Sequence, residues 1–345
     1  MINLVVGLLI IAAGAFCQSS CYVPINKIKS WSWESYWIVQ GLFAWLILPF
    51  LGALLAVPQG HTLCELFNGG NAINIWMTIL FGALWGVGGL TFGLSMRYLG
   101  VALGQSIALG TCAALGTIMG PVLLNVFFPD IDALSALTFS VLLGVAVTLA
   151  GIAIIGVAGS MKAATFSDKE KIAAVKEFNF PKGLGIALLA GFMSGCFNVG
   201  LEFGQGINFG DLTRPMFRTL PATFLVTLGG FVTNAVYCFY QNSKNRTWSD
   251  YGKWGVWINN ALYCALAGAL WYSQFFGLSL GKGFLESSPT LLTLSFCILM
   301  ALNVVFSNVW GIILQEWKGC SGKTIATLVV GIVVLIIACF LPQLI

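Results

Sequence analysis

Long runs in this chain carry no Asp, Glu, Lys or Arg, among them residues 1–26, 98–129, 133–161, 183–201, 219–243 and 324–345. Each has about the length, roughly 20 residues, that a helix needs to cross a bilayer. Nothing else in the sequence constrains the fold as tightly. Apolar residues make up 58% of the 345 and charged ones 8%, against about 25% charged in a soluble domain. The mean hydropathy is +0.92. The chain therefore reads as an all-α polytopic membrane protein.

The apolar pattern predicts ten spans, near 4–23, 35–57, 72–95, 101–125, 135–158, 183–208, 219–241, 256–280, 289–314 and 324–343. Connections are short except for a polar stretch at 159–182, rich in Lys and Glu. This divides the chain into a first five-helix repeat (1–158), a cytoplasmic linker (159–182) and a second five-helix repeat (183–345). Thirteen of the sixteen Lys and Arg fall in the odd-numbered loops, and only Arg214, Arg218 and Lys282 in the even ones. Short loops rich in Lys and Arg stay in the cytoplasm, so both termini are expected on the periplasmic side of an inner membrane. The net charge of +4 thus reflects orientation rather than affinity for nucleic acid. The sequon Asn245-Arg246-Thr247 is then cytoplasmic and unglycosylated. The first 22 residues lack the basic start of a signal peptide and exceed its usual apolar length of about 7–15 residues, so they read as the first span. The ten cysteines lie mostly in apolar spans, where Cys acts as a small packing residue. Cys64 and Cys320 fall in loops on opposite sides.

An internal repeat points to transport. "GALW" occurs at 82–85 and 268–271, and each copy is followed by "FGLS", at 92–95 and 276–279, and then by a basic residue, Arg97 or Lys282. The copies lie in spans 3 and 8, the third of each half. Five spans is an odd number, so two related halves are inverted with respect to each other, as in many secondary transporters. Trp85 precedes Arg97 by about 18 Å and Trp271 precedes Lys282 by about 17 Å at 1.5 Å per residue. Both indoles then fall near the middle of a core about 30 Å thick, although Trp ordinarily prefers the interfaces. Two such rings at mid-depth suit the C–H face of a sugar; the alternative is that they only pack between helices. Gly pairs four residues apart (82/86, 89/93, 100/104, 116/120, 200/204, 277/281) indicate close helix packing and say nothing of substrate.

Few ionisable groups are expected in the membrane, where they are functional suspects. Glu202 is the only carboxylate inside an expected span, about 30 Å beyond Lys182 along the helix. It is the candidate for proton coupling, with an interfacial Glu paired to Arg214 or Arg218 as the alternative. His61, the single histidine, lies in an outer loop beside Glu65 and reads as solvated, as do Asp130 and Asp132. The spans also carry amides: Gln40, Gln105, Asn198, Gln205, Asn234, Asn259, Asn260, Gln274, Asn303 and Asn308. Unsatisfied amides are costly in lipid, so some line a polar cavity. Gln274 shares a helix face with Trp271. The expected substrate contacts are Trp85, Trp271, Gln274, Gln105 and Asn198, and the expected substrate is neutral and hydroxylated. No metal site and no cofactor is expected. Residues 319–324 end like a phosphate-binding loop but with the wrong spacing, and no enzymatic motif is present.

The stretches "YVPINKIKSWSWE" (22–34), "FGALWGVGGLTFGLSMRYLGVALG" (81–104), "KEFNFPKGL" (176–184), "GALWYSQFF" (268–276) and "QEWKG" (315–319) resemble the L-rhamnose/proton symporter family of the drug/metabolite transporter superfamily. The resemblance runs the length of the chain. It implies a five-plus-five inverted arrangement, outward termini and import of a 6-deoxy sugar with a proton. The chain departs from the family pattern in "GVGGLTFG" (86–93), around 283–293 and beside Glu202, which bears on the sugar and on coupling. A transporter of another neutral metabolite on the same fold, or a sugar sensor that does not transport, are the competing readings.

Overall fold

A computed structural model describes residues 2–99, 101–164, 180–315 and 317–341. Among the described residues it has no strand, and ten helices are long and apolar enough to cross a membrane. Spans 1 to 5 are Ile2–Ile25, Trp33–Leu54, Ala72–Phe92, Ile107–Phe127 and Phe139–Lys162. Spans 6 to 10 are Pro181–Phe203, Pro215–Asn245, Trp254–Leu285, Pro289–Ile313 and Gly322–Phe340. The third and fourth belong to helices Ala72–Leu99 and Val101–Phe127. Every expected span is thus present, with ends moved by a few residues. Of the expected linker, residues 159–164 continue the helix of span 5 and 180–182 begin that of span 6, while 165–179 lie outside the described residues.

The helices group into two compact units, each drawing on both halves of the sequence. Residues 1–86 and 203–287 form unit 1, and 87–202 and 288–345 form unit 2. In unit 1, span 1 packs along span 8 and span 2 packs on spans 7 and 8. The first part of span 3 lies on span 7. Lipid offers apolar side chains no reason to associate, so close backbone approach through small residues holds such helices together. Gly7 and Gly14 of span 1 face Gly281 and Ser273 of span 8 so closely that a Cβ on Gly14 would lie 2.7 Å from the Ser273 carbonyl oxygen. Gly82 and Gly229 interlock spans 3 and 7 in the same way. In unit 2, span 5 runs along spans 4 and 10, and span 9 packs on spans 4 and 5. Gly88 of span 3 faces Ser194 of span 6, and Gly195 of span 6 faces Gly116 of span 4.

Loops of like parity meet within unit 1. Loop 1 is tied to the region after span 7, where the Ser32 amide donates to Asp250 at 2.7 Å, and to span 8, where the Lys29 amide donates to Asn260 at 3.0 Å. On the even side, the Thr213 hydroxyl donates to the Ala56 carbonyl at 2.9 Å, and Arg218 meets Glu286 at 3.1 Å. Loop 2 contains a short helix, Leu63–Gly69, closed at its start by a reciprocal Thr62–Glu65 cap. His61 is exposed there, 3.1 Å from Glu65. Its hydrogen bond, aided by Thr62, holds the Glu65 carboxyl below the usual carboxylate range. The ten cysteines are free thiols; Cys64 is exposed and Cys320 half-buried.

Candidate functional site

Span 2 is the element the sequence describes least well. It starts as an α-helix, Trp33–Gly41, widens to a π-helix over Leu42–Ile47, and resumes as α over Leu48–Leu54. The cause lies in Pro49. Its ring carries no N–H and crowds the carbonyl four residues back, that of Trp45. The preceding turn opens instead, and the Leu48 amide bonds to Phe43, five residues back. In a regular helix Trp37 and Trp45 would sit about 80° apart around the axis. With the wide turn between them, the two rings meet edge to face at 5.6 Å. Gly41 makes room for this, since a Cβ there would stand 2.5 Å from the Trp45 six-membered ring.

Trp45 is the hub of an aromatic cluster. Its ring meets Trp85 of span 3 and Trp271 of span 8 edge to face, each at 5.9 Å, and Trp85 and Trp271 lie 5.6 Å apart. Phe275 extends the cluster from Trp271 at 5.2 Å. The two copies of "GALW" thus place their tryptophans side by side, within unit 1 and near the middle of their helices. Trp45 is buried, whereas Trp37, Trp85 and Trp271 keep part of their ring surface accessible.

Polar groups surround the rings. The Trp37 indole N–H donates to Asn234 Oδ1 at 3.0 Å, and Asn234 donates to the Gly230 carbonyl at 2.9 Å. Gln274 is buried and donates to the Trp271 carbonyl at 3.2 Å. On spans 2 and 8, three further polar atoms are buried without a hydrogen-bond partner among the described residues: Gln40 Oε1, Trp45 Nε1 and the Tyr272 hydroxyl, the last beside Gly52. Buried polar atoms are rarely left unpaired, so these three are the atoms that a water or a ligand hydroxyl would satisfy. No carboxylate, imidazole or amine belongs to this set. The arrangement offers aromatic faces and neutral donors and acceptors, which suits an uncharged polyhydroxylated ligand.

Of the residues expected to bind substrate, the structure brings together Trp85, Trp271 and Gln274. Asn198 and Glu202 belong to unit 2. Asn198 is buried and donates to the Gly116 carbonyl at 2.7 Å, with its Oδ1 unpartnered. Glu202 is half-buried near the end of span 6, with its stem against Gly120 of span 4. The Gln105 side chain lies outside the described residues. Sequence reasoning missed Trp37 and Trp45 because regular helical spacing puts them on different faces; Pro49 was the signal. Two expectations need correction. Gln205 is exposed in the turn beyond the helix end at Phe203. Glu202 is not the only carboxylate within a span, because span 2 begins at Trp33 and takes in Glu34, which is 1% exposed.

Comparison with known proteins agrees with this picture. The family model described as L-rhamnose-proton symport protein matches residues 1–344. Curated relatives from Yersinia pestis (strain Pestoides F) and Yersinia pseudotuberculosis (serotype O:3, strain YPIII) carry the name L-rhamnose-proton symporter. Each is 31% identical over 351 aligned residues, covering 97% of this chain and 96% of the relative.

Proposed function

Because the chain belongs to the L-rhamnose-proton symport protein family, we propose that it imports L-rhamnose together with protons by alternating access. The observation that carries the reading is the Trp37–Trp45–Trp85–Trp271 cluster with its free neutral donors and acceptors. A deoxy sugar presents both surfaces that such a site needs, an apolar C–H and methyl face for the indoles and a rim of hydroxyls for Gln40, Trp45 and Gln274. Asn198 and Gln105 are further proposed contacts, and Glu202 of span 6 is the coupling candidate that the sequence offers. The substrate partners are the sugar and the proton, and the solvent is the lipid bilayer.

The proposed architecture is an inverted repeat of 1–158 and 183–345 about the linker 159–182. The packing supports it. Adding five to each span number turns the contact of span 1 with span 8 into that of span 6 with span 3. It turns the contact of 2 with 8 into that of 7 with 3. It leaves 2 with 7, 4 with 9 and 5 with 10 unchanged, and all of these contacts occur. A pair of repeats related by a two-fold axis in the membrane plane has this property. The charge asymmetry and the meeting of loops 1 and 7 support an inner-membrane orientation with odd loops cytoplasmic and both termini periplasmic.

The test is uptake of labelled L-rhamnose into proteoliposomes, with and without an imposed inward proton gradient. Accumulation abolished by a protonophore and competed best by unlabelled L-rhamnose supports symport. Equilibration without accumulation means facilitation, and binding without uptake means a sensor. Better competition by another sugar moves the substrate assignment while leaving the fold untouched.

A further inference from the structure

The end of unit 1 that holds loop 1 and the start of span 8 is built around two buried carboxylates with unequal surroundings. Asp250 is 3% exposed and well supplied: Lys253 Nζ bonds to its Oδ1, and the Ser32 amide and Ser35 hydroxyl donate to its Oδ2 at 2.7 and 3.0 Å. Glu34 is 1% exposed, and among the described residues no cation pairs with it. Its Oε1 accepts from Asn245 Nδ2 at 3.0 Å and from the Thr247 hydroxyl at 2.8 Å, both neutral donors. Its Oε2 has no partner at all among the described residues. The only lysine in the network, Lys253, is taken up by Asp250 and by the Ser30 carbonyl. The other titratable groups facing Glu34 are Tyr36 on its own helix and Cys238 on span 7. Tyr251 stands one residue further out, bonded to Asn242 at 2.7 Å. None of these is a cation. Burying a charge away from any counter-ion is costly.

The geometry also provides a switch. The Thr247 hydroxyl lies 2.8 Å from Glu34 Oε1 and 2.9 Å from Asn242 Oδ1. Its one proton serves one acceptor at a time. A charged Glu34 holds it; a neutral Glu34 releases it to Asn242. The partners of Glu34 come from the end of span 7 and the turn that follows it, and span 7 also carries Asn234, the acceptor for Trp37 of the aromatic cluster. Trp37 follows Glu34 by three residues, so the two share a face of span 2. The same pair of helices therefore joins Glu34 at one end to the aromatic cluster further along.

We propose that Glu34 binds and releases the transported proton through Oε2, at the end of unit 1 proposed to face the cytoplasm. On loading, a proton that has entered from the periplasmic side with the sugar forms an O–H bond at Oε2 and cancels the buried charge. On release, that bond breaks and the proton passes to cytoplasmic water. The Asn245 hydrogen bond at Oε1 persists throughout, while the Thr247 hydroxyl turns between Glu34 Oε1 and Asn242 Oδ1. The assignment rests on the proton-coupled reading above.

Proteoliposomes containing the full chain separate the two. Counterflow exchange of labelled L-rhamnose measures the sugar cycle without net proton movement, and proton-driven accumulation measures coupling. Glu34→Gln keeps the Oε1 acceptor for Asn245 and Thr247 and puts a non-titrating amide where Oε2 was. Counterflow is expected to persist while accumulation is lost and the pH profile of uptake flattens. Wild-type accumulation with a wild-type pH profile in Glu34→Gln overturns the assignment; the same result with loss in Glu202→Gln moves coupling to span 6. Should Glu34→Gln show no counterflow, Thr247→Ala decides, since it keeps the carboxylate and removes one donor to its charged form. It is then expected to shift the pH profile of accumulation towards higher pH, with Thr247→Ser restoring it, and an unmoved profile overturns the assignment. Wild-type exchange without accumulation defeats the proton-coupled reading itself and the assignment with it.

Discussion

Gly230 stands one turn from Asn234 on span 7, and its missing side chain is what allows the Trp85 indole to lie on that helix. A Cβ added there would stand 2.2 Å from the Trp85 six-membered ring. A ring has no flexible end to move aside, so Gly230→Ala turns the whole indole away. The ring then gives up its contacts with Trp45 at 5.9 Å and with Trp271 at 5.6 Å. Each aromatic pair contributes about 0.5–1.5 kcal/mol, so the walls of the site lose about 1–3 kcal/mol of mutual support. Passed on to the sugar, that is a rise of about five- to 150-fold in Kd. Helix propensity acts the other way, since Ala in place of a mid-helix Gly stabilises by about 0.5–1 kcal/mol, so the variant is expected to fold. Quenching of tryptophan fluorescence by L-rhamnose in detergent gives the Kd, and counterflow gives the KM. Gly89→Ala is the control, because a Cβ at Gly89 meets nothing within 4 Å. Adding Trp85→Phe to Gly230→Ala shortens the ring and is expected to recover part of the affinity. A folded Gly230→Ala protein with wild-type Kd and KM would refute the assignment of Trp85 to the binding surface.

Three further outcomes are expected. Trp45→Phe keeps the aromatic contacts and removes the unpartnered indole N–H; losing one neutral hydrogen bond of about 0.5–1.5 kcal/mol raises the sugar KM about two- to twelvefold, and an unchanged KM excludes that N–H as a sugar donor. Burial tends to raise the Asp250 carboxyl, but Lys253, Ser32 and Ser35 outweigh it and hold the group below its ordinary value of 3.8. A depressed folded value means that Asp250 contributes fully above that ordinary value and loses its contribution as pH falls through the folded one. Thermal melts in detergent should therefore show Asp250→Asn less stable than wild type at neutral pH, by about 1–3 kcal/mol after allowing for the half-exposed lysine, with the gap closing in acid; a gap that widens in acid contradicts the sign. In right-side-out vesicles an impermeant thiol reagent should label Cys64 and spare Cys320, and the reverse pattern would invert the proposed orientation.

Much of this was legible in the sequence, and the failures have physical causes. The charge-free runs located the spans because a lipid-facing helix has few ways to be written. The repeat brought Trp85 and Trp271 to attention because the same four residues recur at the same place in each half. Trp45 escaped because a single wide turn, forced by Pro49, changes which residues share a face, and simple periodicity assumes that no such turn exists. Glu34 escaped by one residue: a charged side chain at the start of an apolar run looks like loop until the donors that bury it are known. Those donors, Asn245 and Thr247, are more than two hundred positions away and in sequence look only like a glycosylation motif.

The mixed make-up of the two units has a consequence for synthesis. Span 2 ends at Leu54 and the helix of span 7 begins at Leu220, 166 residues later. At about 5–20 residues per second, a ribosome takes roughly ten to thirty seconds to cover that distance. For that interval Glu34 is in the bilayer without the helix end that buries it, and span 1 waits longer still for span 8. The nascent chain must therefore be held near the insertion machinery, or its polar faces kept wet, until the second half emerges. A ribosome that stops after span 5 leaves behind five inserted helices and a buried-type carboxylate with nothing to bury it, which is a ready signal for membrane quality control.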